Sequence, residues 1–245
     1  MKRIDFENGK ITENILQAAL PMLVAQFLSL LYNIVDRIYI ARIPNVGTAA
    51  LGAVGLCFPI IVIVTAFSNL FGTGGAPLFS IARGRQDREE AGRILNTSFF
   101  LLTVCALVLM TVGLAFARPI LVLFGASDSA LIYAYPYLMI YLLGTFPSMI
   151  TTGLNPFINA QGYSTTGMLS VVIGAAANLV LDPLFIFVLH MGVTGAAIAT
   201  ILSQLLSACF VLYFLRKKAE FKIRFLTREE IKCCGACAAN IVSLG

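Results

Sequence analysis

The sequence predicts an all-α, polytopic membrane protein with six transmembrane helices, and two properties of the chain support this fold class. Of its 245 residues, 59% are hydrophobic and only 12% are charged, with a mean hydropathy of +0.90, whereas soluble domains carry about 25% charged residues. The apolar residues fall into six stretches, each longer than about 18 residues and able to cross a hydrocarbon layer roughly 30 Å thick. The bilayer is therefore the expected solvent, and no nucleic-acid partner is expected.

The six predicted spans follow one another with short polar links. In chain order they cover residues 14–41, 50–82, 94–117, 130–157, 168–190 and 194–215, after an N-terminal segment of residues 1–13. The first span is too long for the apolar core of a signal peptide and is expected to be retained. The turn at 190–193 is so short that the fifth and sixth spans must form a tight antiparallel pair.

The basic residues predict that the N-terminus is cytoplasmic. This orientation leaves only Arg42 and Arg118 outside the cell and Arg37 within the first span, out of 17 Lys and Arg residues. An excess of Lys and Arg in cytoplasmic loops is typical of multi-pass proteins, so we expect a location in the cytoplasmic membrane. The residues placed inside are Lys2, Arg3, Lys10, Arg83, Arg85, Arg88, Arg93, Arg216, Lys217, Lys218, Lys222, Arg224, Arg228 and Lys232.

The last part of the chain predicts a continuation beyond the sixth span. Residues 216–232 form a basic, amphipathic segment that we expect to be a cytoplasmic connector, and residues 233–245 are apolar. Thirteen residues are too few to cross a bilayer. They are therefore interpreted as the start of a seventh helix, in a protein about twice as long as this chain.

The six cysteines do not predict a metal site or a disulfide framework. Three of them lie inside apolar spans, where free cysteine behaves as a small hydrophobic residue. Cys233, Cys234 and Cys237 form a CCxxC cluster, but no histidine or second CxxC completes a tetrahedral zinc shell. No metal is expected, apart from Na⁺ at the site described next.

Two aspartates lie inside the predicted spans. An ionisable group within a membrane costs at least about 2.5 kcal/mol, so such residues mark functional sites facing the protein interior. Asp36 is in the first span and Asp182 is in the fifth. Counted from the same membrane face at about 1.5 Å per residue, they lie roughly 8 and 12 Å deep. The two carboxyl groups are therefore expected at a similar level.

The neighbours of Asp182 predict an oxygen-rich site. Asn178 precedes it by four residues and shares its helix face. Pro183 has no N–H to donate to the carbonyl of Leu179, which frees a further oxygen. Such a site suits a hard cation such as Na⁺, or a proton on a carboxylate. The alternative is that Asp36 pairs with Arg37 to anchor the first span, but adjacent residues point in different directions on a helix, and we expect Arg37 to extend outward.

Five sequence segments resemble the multidrug and toxic-compound extrusion (MATE) family. They are ALPMLVAQFLSLLYNIVDRIYIARI (19–43), LGAVGLCFPI, GTGGAPLFSIARGR, NPFINAQGYSTTGM and NLVLDPLFIF, in matching order and spacing over nearly the whole chain. The resemblance implies twelve helices in two six-helix lobes around a central cleft, with this chain as the N-terminal lobe. It implies antiport of H⁺ or Na⁺ against drugs or other small, often cationic, toxic organic compounds, without a cofactor or an enzymatic activity, and with a C-terminal lobe as partner.

The resemblance also implies roles for individual residues. With its two intramembrane aspartates, the chain resembles the DinF-like branch of the family, in which the N-terminal lobe couples export to cation movement. Carried over by position, the cation- or proton-coupling site comprises Asp36, Asn178, Asp182 and Thr200. Helix bending falls on Pro21 and Pro183. The implied substrate-cleft residues are Tyr32, Asn33, Tyr137 and Asn155.

Two other classes of protein, a flippase and a membrane-embedded enzyme, are alternatives to the drug exporter. A lipid-linked oligosaccharide flippase of the same superfamily would share the architecture, but such flippases usually line their cleft with more basic residues to meet a diphosphate, and only Arg37 lies within a span here. A membrane-embedded prenyltransferase needs clustered acidic motifs, and an intramembrane protease needs motifs that the residues around Asp36 and Asp182 do not match. The exporter interpretation is favoured over both.

Overall fold

Every regular element in the described part of the chain is a helix. The computed structural model describes residues 4, 10–44, 46–224, 226, 230 and 234–245. Its elements are α1 (Ile11–Ala41), α2 (Gly47–Gly84), α3 (Arg88–Leu123), α4 (Asp128–Leu143), α5 (Thr145–Ala160), α6 (Ser164–Pro183), a π-helical segment (Leu184–Val188), α7 (Gly192–Lys217) and α8 (Gly235–Leu244). The predicted all-α fold class is confirmed.

Some sequence predictions fall outside the described residues. These are most of the N-terminal segment 1–13, parts of the connector 216–232, the basic residues Lys2, Arg3, Arg228 and Lys232, and Cys233. The short apolar helix α8 lies within the predicted start of a seventh helix.

Within the described residues, five helices are long and apolar enough to cross a membrane. They are α1, α2, α3, α6 together with its π-helical continuation, and α7. A sixth crossing is formed by α4 and α5, which pass the same test as a pair but are bent by 55° relative to each other. The five single helices and this bent pair agree in number with the six predicted spans, but the fourth span is a bent pair of helices.

The fourth predicted span, 130–157, is broken at Gly144 and is not one continuous helix. Glycine is a weak helix former, and Pro147 cannot donate a hydrogen bond to the carbonyl of Leu143. A side chain at Gly144 would also collide with α7, because a Cβ there would lie 2.7 Å from a carbon of Ile201. The bend therefore brings α4 and α5 close to the middle of α7.

The helices also extend beyond the predicted boundaries where polar residues cap or continue them. Asp87 caps α3 by accepting a hydrogen bond from the backbone N–H of Glu90 at 2.9 Å, so α3 includes residues assigned to a polar link. Near its other end α3 is kinked at Phe116 (φ −114°, ψ 15°). The kink lies one turn before Pro119, which lacks the N–H that would continue the ladder.

Small residues allow the helices to approach closely. A Cβ on Gly72 of α2 would lie 2.6 Å from the carbonyl oxygen of Gly153 in α5. A Cβ on Gly195 of α7 would lie 2.8 Å from the carbonyl oxygen of Phe185. Ala196 and Ala197 beside it are fully buried. Membrane helices pack by van der Waals contact between such small residues, since lipid provides no hydrophobic driving force.

The buried side chains form two clusters, one in each half of the bundle. The first includes Phe79, Leu95, Leu102 and Phe157, and the second includes Ile40, Ala53, Leu121 and Leu138. Helix α1 packs mainly against α6, and α6 packs against α7. Most apolar side chains of α1 remain exposed, as expected for a surface that meets lipid or further protein.

The connecting segments of the bundle divide between two ends. The first, here called the basic end, comprises the turns 84–88 and 160–164 and the segment 218–224. The other end comprises residues 42–44, 46, 124–127 and 189–191.

Direct contacts join the segments of the basic end. Arg83 donates to the carbonyl oxygen of Ala160 at 2.7 Å and pairs with Glu220 at 3.8 Å. The side chain of Gln161 accepts from the backbone N–H of Phe221 at 2.9 Å and donates to its carbonyl oxygen at 3.4 Å. The basic end is thus one connected layer, and its cytoplasmic location stays a prediction.

Candidate functional site

The packing of α1 against α6 brings Asp36 and Asp182 together. Their carboxyl groups lie within hydrogen-bonding reach of each other. Asp182 is fully buried and Asp36 is half-buried. Among the described residues, no donor reaches Asp36 Oδ1 or Asp182 Oδ2. Each carboxyl group therefore keeps one buried oxygen that a proton or a cation can use.

Asn178 and Thr200 add neutral oxygen atoms beside this pair. The amide of Asn178 donates to Asp182 Oδ1 at 3.1 Å, as expected for residues one helical turn apart. Thr200 Oγ1 donates to the carbonyl oxygen of Ala196 at 2.9 Å, so its lone pairs remain available as acceptors. Asn178 and Thr200 line the same cavity.

The backbone changes its helical form directly after Asp182. Helix α6 ends at Pro183, and the chain continues as a π-helical turn in which the N–H of Leu189 donates to the carbonyl oxygen of Leu184 at 2.9 Å. Such π-helical turns occur frequently at functional sites. By contrast, α1 passes through Pro21 as one helix. The bending roles of both prolines stay predictions.

A cavity of about 150 Å³ lies next to the carboxyl pair, between α1, α5, α6 and α7. Its polar lining consists of hydroxyl and amide side chains and contains no charged residue. The oxygen Oε1 of Gln204 is buried there without a partner in the described part of the chain. A polar cavity of this kind can hold ordered water. The polar residues that line it are Ser29, Tyr32, Ser148, Thr151, Thr152, Asn178, Thr200, Ser203, Gln204 and Ser207.

Two of the predicted cleft residues, Tyr32 and Tyr137, lie at this site. Tyr32 lines the cavity. Tyr137 is buried close to both carboxyl groups, and its ring stacks on that of Tyr141 with centroids 6.2 Å apart. The aromatic pair closes one side of the carboxyl site.

The other two predicted cleft residues, Asn33 and Asn155, do not line the cavity. Asn33 is exposed, and its amide donates to the carbonyl oxygen of Ser29 in its own helix at 2.7 Å. Asn155 donates to the carbonyl oxygen of Gly167 at 3.1 Å and to Ser170 Oγ at 2.9 Å. It therefore joins α5 to α6, while a contact with substrate stays a prediction.

Arg37 does not neutralise the adjacent Asp36 by a direct ion pair. Its guanidinium lies 5.5 Å from the centroid of the Phe58 ring on α2 and is exposed. Within the part of the chain that the structure describes, no ion pair joins it to a carboxylate. No group of three or more His, Cys, Asp or Glu side chains is placed to hold a metal ion among those residues.

Sequence reasoning missed the neutral polar residues of the cavity. Ser203 and Ser207 are spaced by one helical turn on α7, and Gln204 lies beside them. The same one-turn spacing occurs at Ser148 and Thr152 on α5, so the sequence carries a signal of a polar stripe on both helices. The sequence does not show that the two stripes line one cavity, because that depends on the bend between α4 and α5.

Comparisons with known proteins identify the family of this chain. The family model described as MatE matches residues 21–184, which include Asp36, Asn178 and Asp182. The chain belongs to the MatE family. This confirms the resemblance to multidrug and toxic-compound extrusion proteins and the prediction of a multi-pass membrane protein.

Individual MatE relatives agree with this membership. The multidrug export protein MepA of Staphylococcus haemolyticus (strain JCSC1435) is 31% identical over 213 residues, covering 86% of this chain and 47% of MepA. The crystal structure of MATE in complex with MaD3S has a TM-score of 0.86 and 26% identity, covering 100% of this chain and 56% of the other.

An outward-facing multidrug resistance MATE family transporter of the MOP superfamily has a TM-score of 0.84 and 27% identity. This match covers 99% of the present chain and 53% of the transporter. The present MatE chain thus spans about half the length of the relatives it matches.

Proposed function

We propose that this MatE chain is the N-terminal lobe of a cation-coupled antiporter that exports drugs or other toxic organic compounds across the cytoplasmic membrane. One observation supports the coupling proposal: two neighbouring carboxyl groups, each with a buried oxygen that has no partner among the described residues, lie between membrane helices beside a neutral polar cavity. The names of the relatives, multidrug export protein and multidrug resistance transporter, support drugs as the substrates.

The coupling step follows from electrostatics. Two bare carboxylates in contact repel each other strongly where water is scarce. A proton shared between Asp36 and Asp182, or a Na⁺ bound by both, removes this repulsion and holds α1 against α6. Release of the ion favours separation of the two helices. A ligand can shift a conformational equilibrium only through such differential stabilisation of one state.

Both coupling ions fit the residues present. For a proton, the carboxyl–carboxyl hydrogen bond is sufficient. For Na⁺, the open oxygens of Asp36 and Asp182 are joined by the neutral oxygens of Asn178 and Thr200, and hard cations prefer oxygen ligands. No further cofactor enters the proposal.

The cavity favours an organic substrate over a lipid-linked diphosphate. Its lining contains no Lys or Arg, so nothing in it would neutralise a diphosphate, and the flippase alternative is not favoured. The acidic pair nearby attracts a cationic compound instead. In the proposed orientation the basic end faces the cytoplasm, and a second lobe supplies the opposite wall of the cleft.

Efflux of a fluorescent organic cation from cells expressing the complete gene tests this function. We expect Asp182→Asn to reduce efflux to the level of cells without the transporter, because the amide keeps the shape of the side chain but cannot take up a proton or pair with Na⁺ as a charge. The matched control is Asp128→Asn at the start of α4, which removes a carboxylate far from the site and should leave efflux unchanged. Normal efflux by Asp182→Asn would refute the proposed coupling site.

A further inference from the structure

An apolar slot opens at the basic end of the bundle, separate from the carboxyl site. It has a volume of about 330 Å³, and its walls come from α3 and α7, with α5 at its base. The hydroxyl of Thr103 donates a hydrogen bond to the carbonyl oxygen of Phe99 in the same helix at 2.8 Å. The interior of the slot is therefore apolar. It is lined by Phe99, Thr103, Phe146 and Leu212, with Arg216, Ile223 and Arg224 at its mouth.

The slot lies alongside the membrane-spanning parts of α3 and α7. It is lined over one turn of each helix, from Phe99 to Thr103 on α3 and from Leu212 to Arg216 on α7. Four helical residues extend roughly 6 Å. The slot therefore accommodates part of one acyl chain, and the rest of that chain would remain in the bilayer.

Cationic side chains surround the mouth. Arg224 also lines an adjoining cavity of about 490 Å³, together with Arg88, Arg93 and Lys222. Glu89 and Glu230 line this cavity as well, so the basic residues outnumber the acidic ones. The two cavities share Arg224 as a lining residue, so a basic surface borders the apolar slot.

Arg216 and Arg224 are placed to bind an anion at the mouth. The backbone N–H of Arg224 donates to Asn96 Oδ1 at 2.8 Å, which fixes the position of the residue. Its guanidinium pairs with Glu230 through two bonds of 2.5 and 3.2 Å, and a guanidinium has three further N–H donors. Arg216 makes no ion pair with any residue that the structure describes.

We propose that this slot binds one anionic phospholipid, with an acyl chain between α3 and α7 and its phosphate between Arg216 and Arg224. A soluble anion would leave the apolar slot unfilled, and a neutral lipid would bring no net negative charge to Arg216 or to the remaining donors of Arg224. Basic pockets between membrane helices bind anionic headgroups in this manner. The short helix α8 packs mainly against α2, which contributes no residue to the lining of the slot.

The absence of tryptophan from the chain permits a direct test. Leu212→Trp places a single fluorophore in the slot. Tyr213→Trp, the next residue of α7, is the matched control, because Tyr213 is 56% exposed and lies outside the slot. Each variant is made in the protein of the complete gene, with any tryptophan outside these 245 residues replaced by phenylalanine. It is reconstituted in phosphatidylcholine bilayers that contain the same small fraction of brominated phosphatidylglycerol or brominated phosphatidylcholine.

We expect brominated phosphatidylglycerol to quench Leu212→Trp more strongly than brominated phosphatidylcholine does. The difference should correspond to about fivefold tighter association per cation at the mouth. Tyr213→Trp should show a much smaller preference. Adding Arg216→Gln and Arg224→Gln to Leu212→Trp should remove the preference, whereas Lys217→Gln with Lys218→Gln should retain it, since neither lysine lines the opening.

Two further measurements keep the result interpretable. Far-UV circular dichroism establishes that each variant is folded, and Phe146→Trp places the fluorophore at the base of the slot if Leu212→Trp is not folded. Equal quenching of the slot tryptophan by both lipids would refute the proposal. Quenching by neither lipid would mean that protein covers the slot. Loss of the preference on adding inorganic phosphate would mean that the site binds a soluble anion. Either result would also refute the proposed phospholipid site.

Discussion

At the scale of single residues, the central feature is a pair of neighbouring acidic side chains within a bundle of apolar helices. Asp36 and Asp182 come from helices far apart in sequence, and each keeps one oxygen without a donor among the described residues. Their burial is unfavourable unless an ion joins them. This requirement gives the proposed exporter its link between ion binding and helix packing.

Thr200 distinguishes the two coupling ions. We expect Thr200→Val, which removes the hydroxyl and keeps the shape, to raise the Na⁺ concentration for half-maximal export about tenfold in a Na⁺-coupled protein, because a hydrogen bond or ligand contact to a charged group contributes roughly 1.5 kcal/mol. Proton-driven export should change little, since a proton lies between the carboxyl groups. Export is measured under each gradient separately.

Thr200→Ser is the control, as it retains the hydroxyl. Both Thr200 variants should impair export less than Asp182→Asn does, because the two carboxylates remain. If Na⁺ drives export and Thr200→Val has the Na⁺ dependence of the unmodified protein, Thr200 does not belong to the site.

The sequence predicts the charged residues of the candidate site better than the neutral ones. Asp36 and Asp182 are evident because a charge within an apolar span is costly and rare. Gln204 and Ser148 carry no comparable cost, since such side chains can satisfy themselves on their own helix or a neighbour. Their place in the cavity depends on contacts between α5 and α7, which no local pattern contains.

At the scale of helices, the six crossings were predictable from hydropathy, but the break in the fourth was not. Gly and Pro are common in membrane helices that remain continuous, and α1 passes unbroken through Pro21. The bend at Gly144 arises from a glycine, a nearby proline and the close approach of Ile201 in α7 acting together. Only the packed structure shows the third of these.

The contact between α2 and α5 is expected to depend on Gly72. A Cβ at this position would meet the backbone of Gly153, and overpacking of this kind costs about 1–3 kcal/mol. Gly72→Ala should therefore lower the thermal unfolding temperature of the purified protein. Gly52→Ala in the same helix is the control, since a methyl group there would have no atom of another residue within 4 Å, and it should leave that temperature unchanged or raise it. Equal effects of the two substitutions would argue against close packing at Gly72.

At the scale of the whole molecule, the bundle has two distinct ends. The basic end is tied together by Arg83, Gln161 and Glu220, and the carboxyl pair lies in the opposite half, near the ends of α1 and α6. The sequence predicted this separation through the distribution of Lys and Arg. Membership of the MatE family, whose matched members are about twice as long, agrees with the predicted two-lobe design.

The orientation can be measured by cysteine labelling in intact cells, with the native cysteines replaced. A Gln86→Cys variant at the basic end should react only with a membrane-permeant reagent, and an Ala126→Cys variant at the other end should also react with an impermeant one, because the positive-inside rule places the basic end in the cytoplasm. Labelling of both positions from the same side would be incompatible with the proposed topology.

The most direct test of the account is ion-driven export by the protein of the complete gene in proteoliposomes with defined H⁺ or Na⁺ gradients. The unmodified protein and Asp128→Asn should accumulate an organic cation under at least one of the two gradients. The Asp36→Asn/Asp182→Asn double variant, with unchanged reconstitution efficiency and helical content, should accumulate none under either. Gradient-driven accumulation at the unmodified rate by the double variant would contradict coupling through this carboxyl pair.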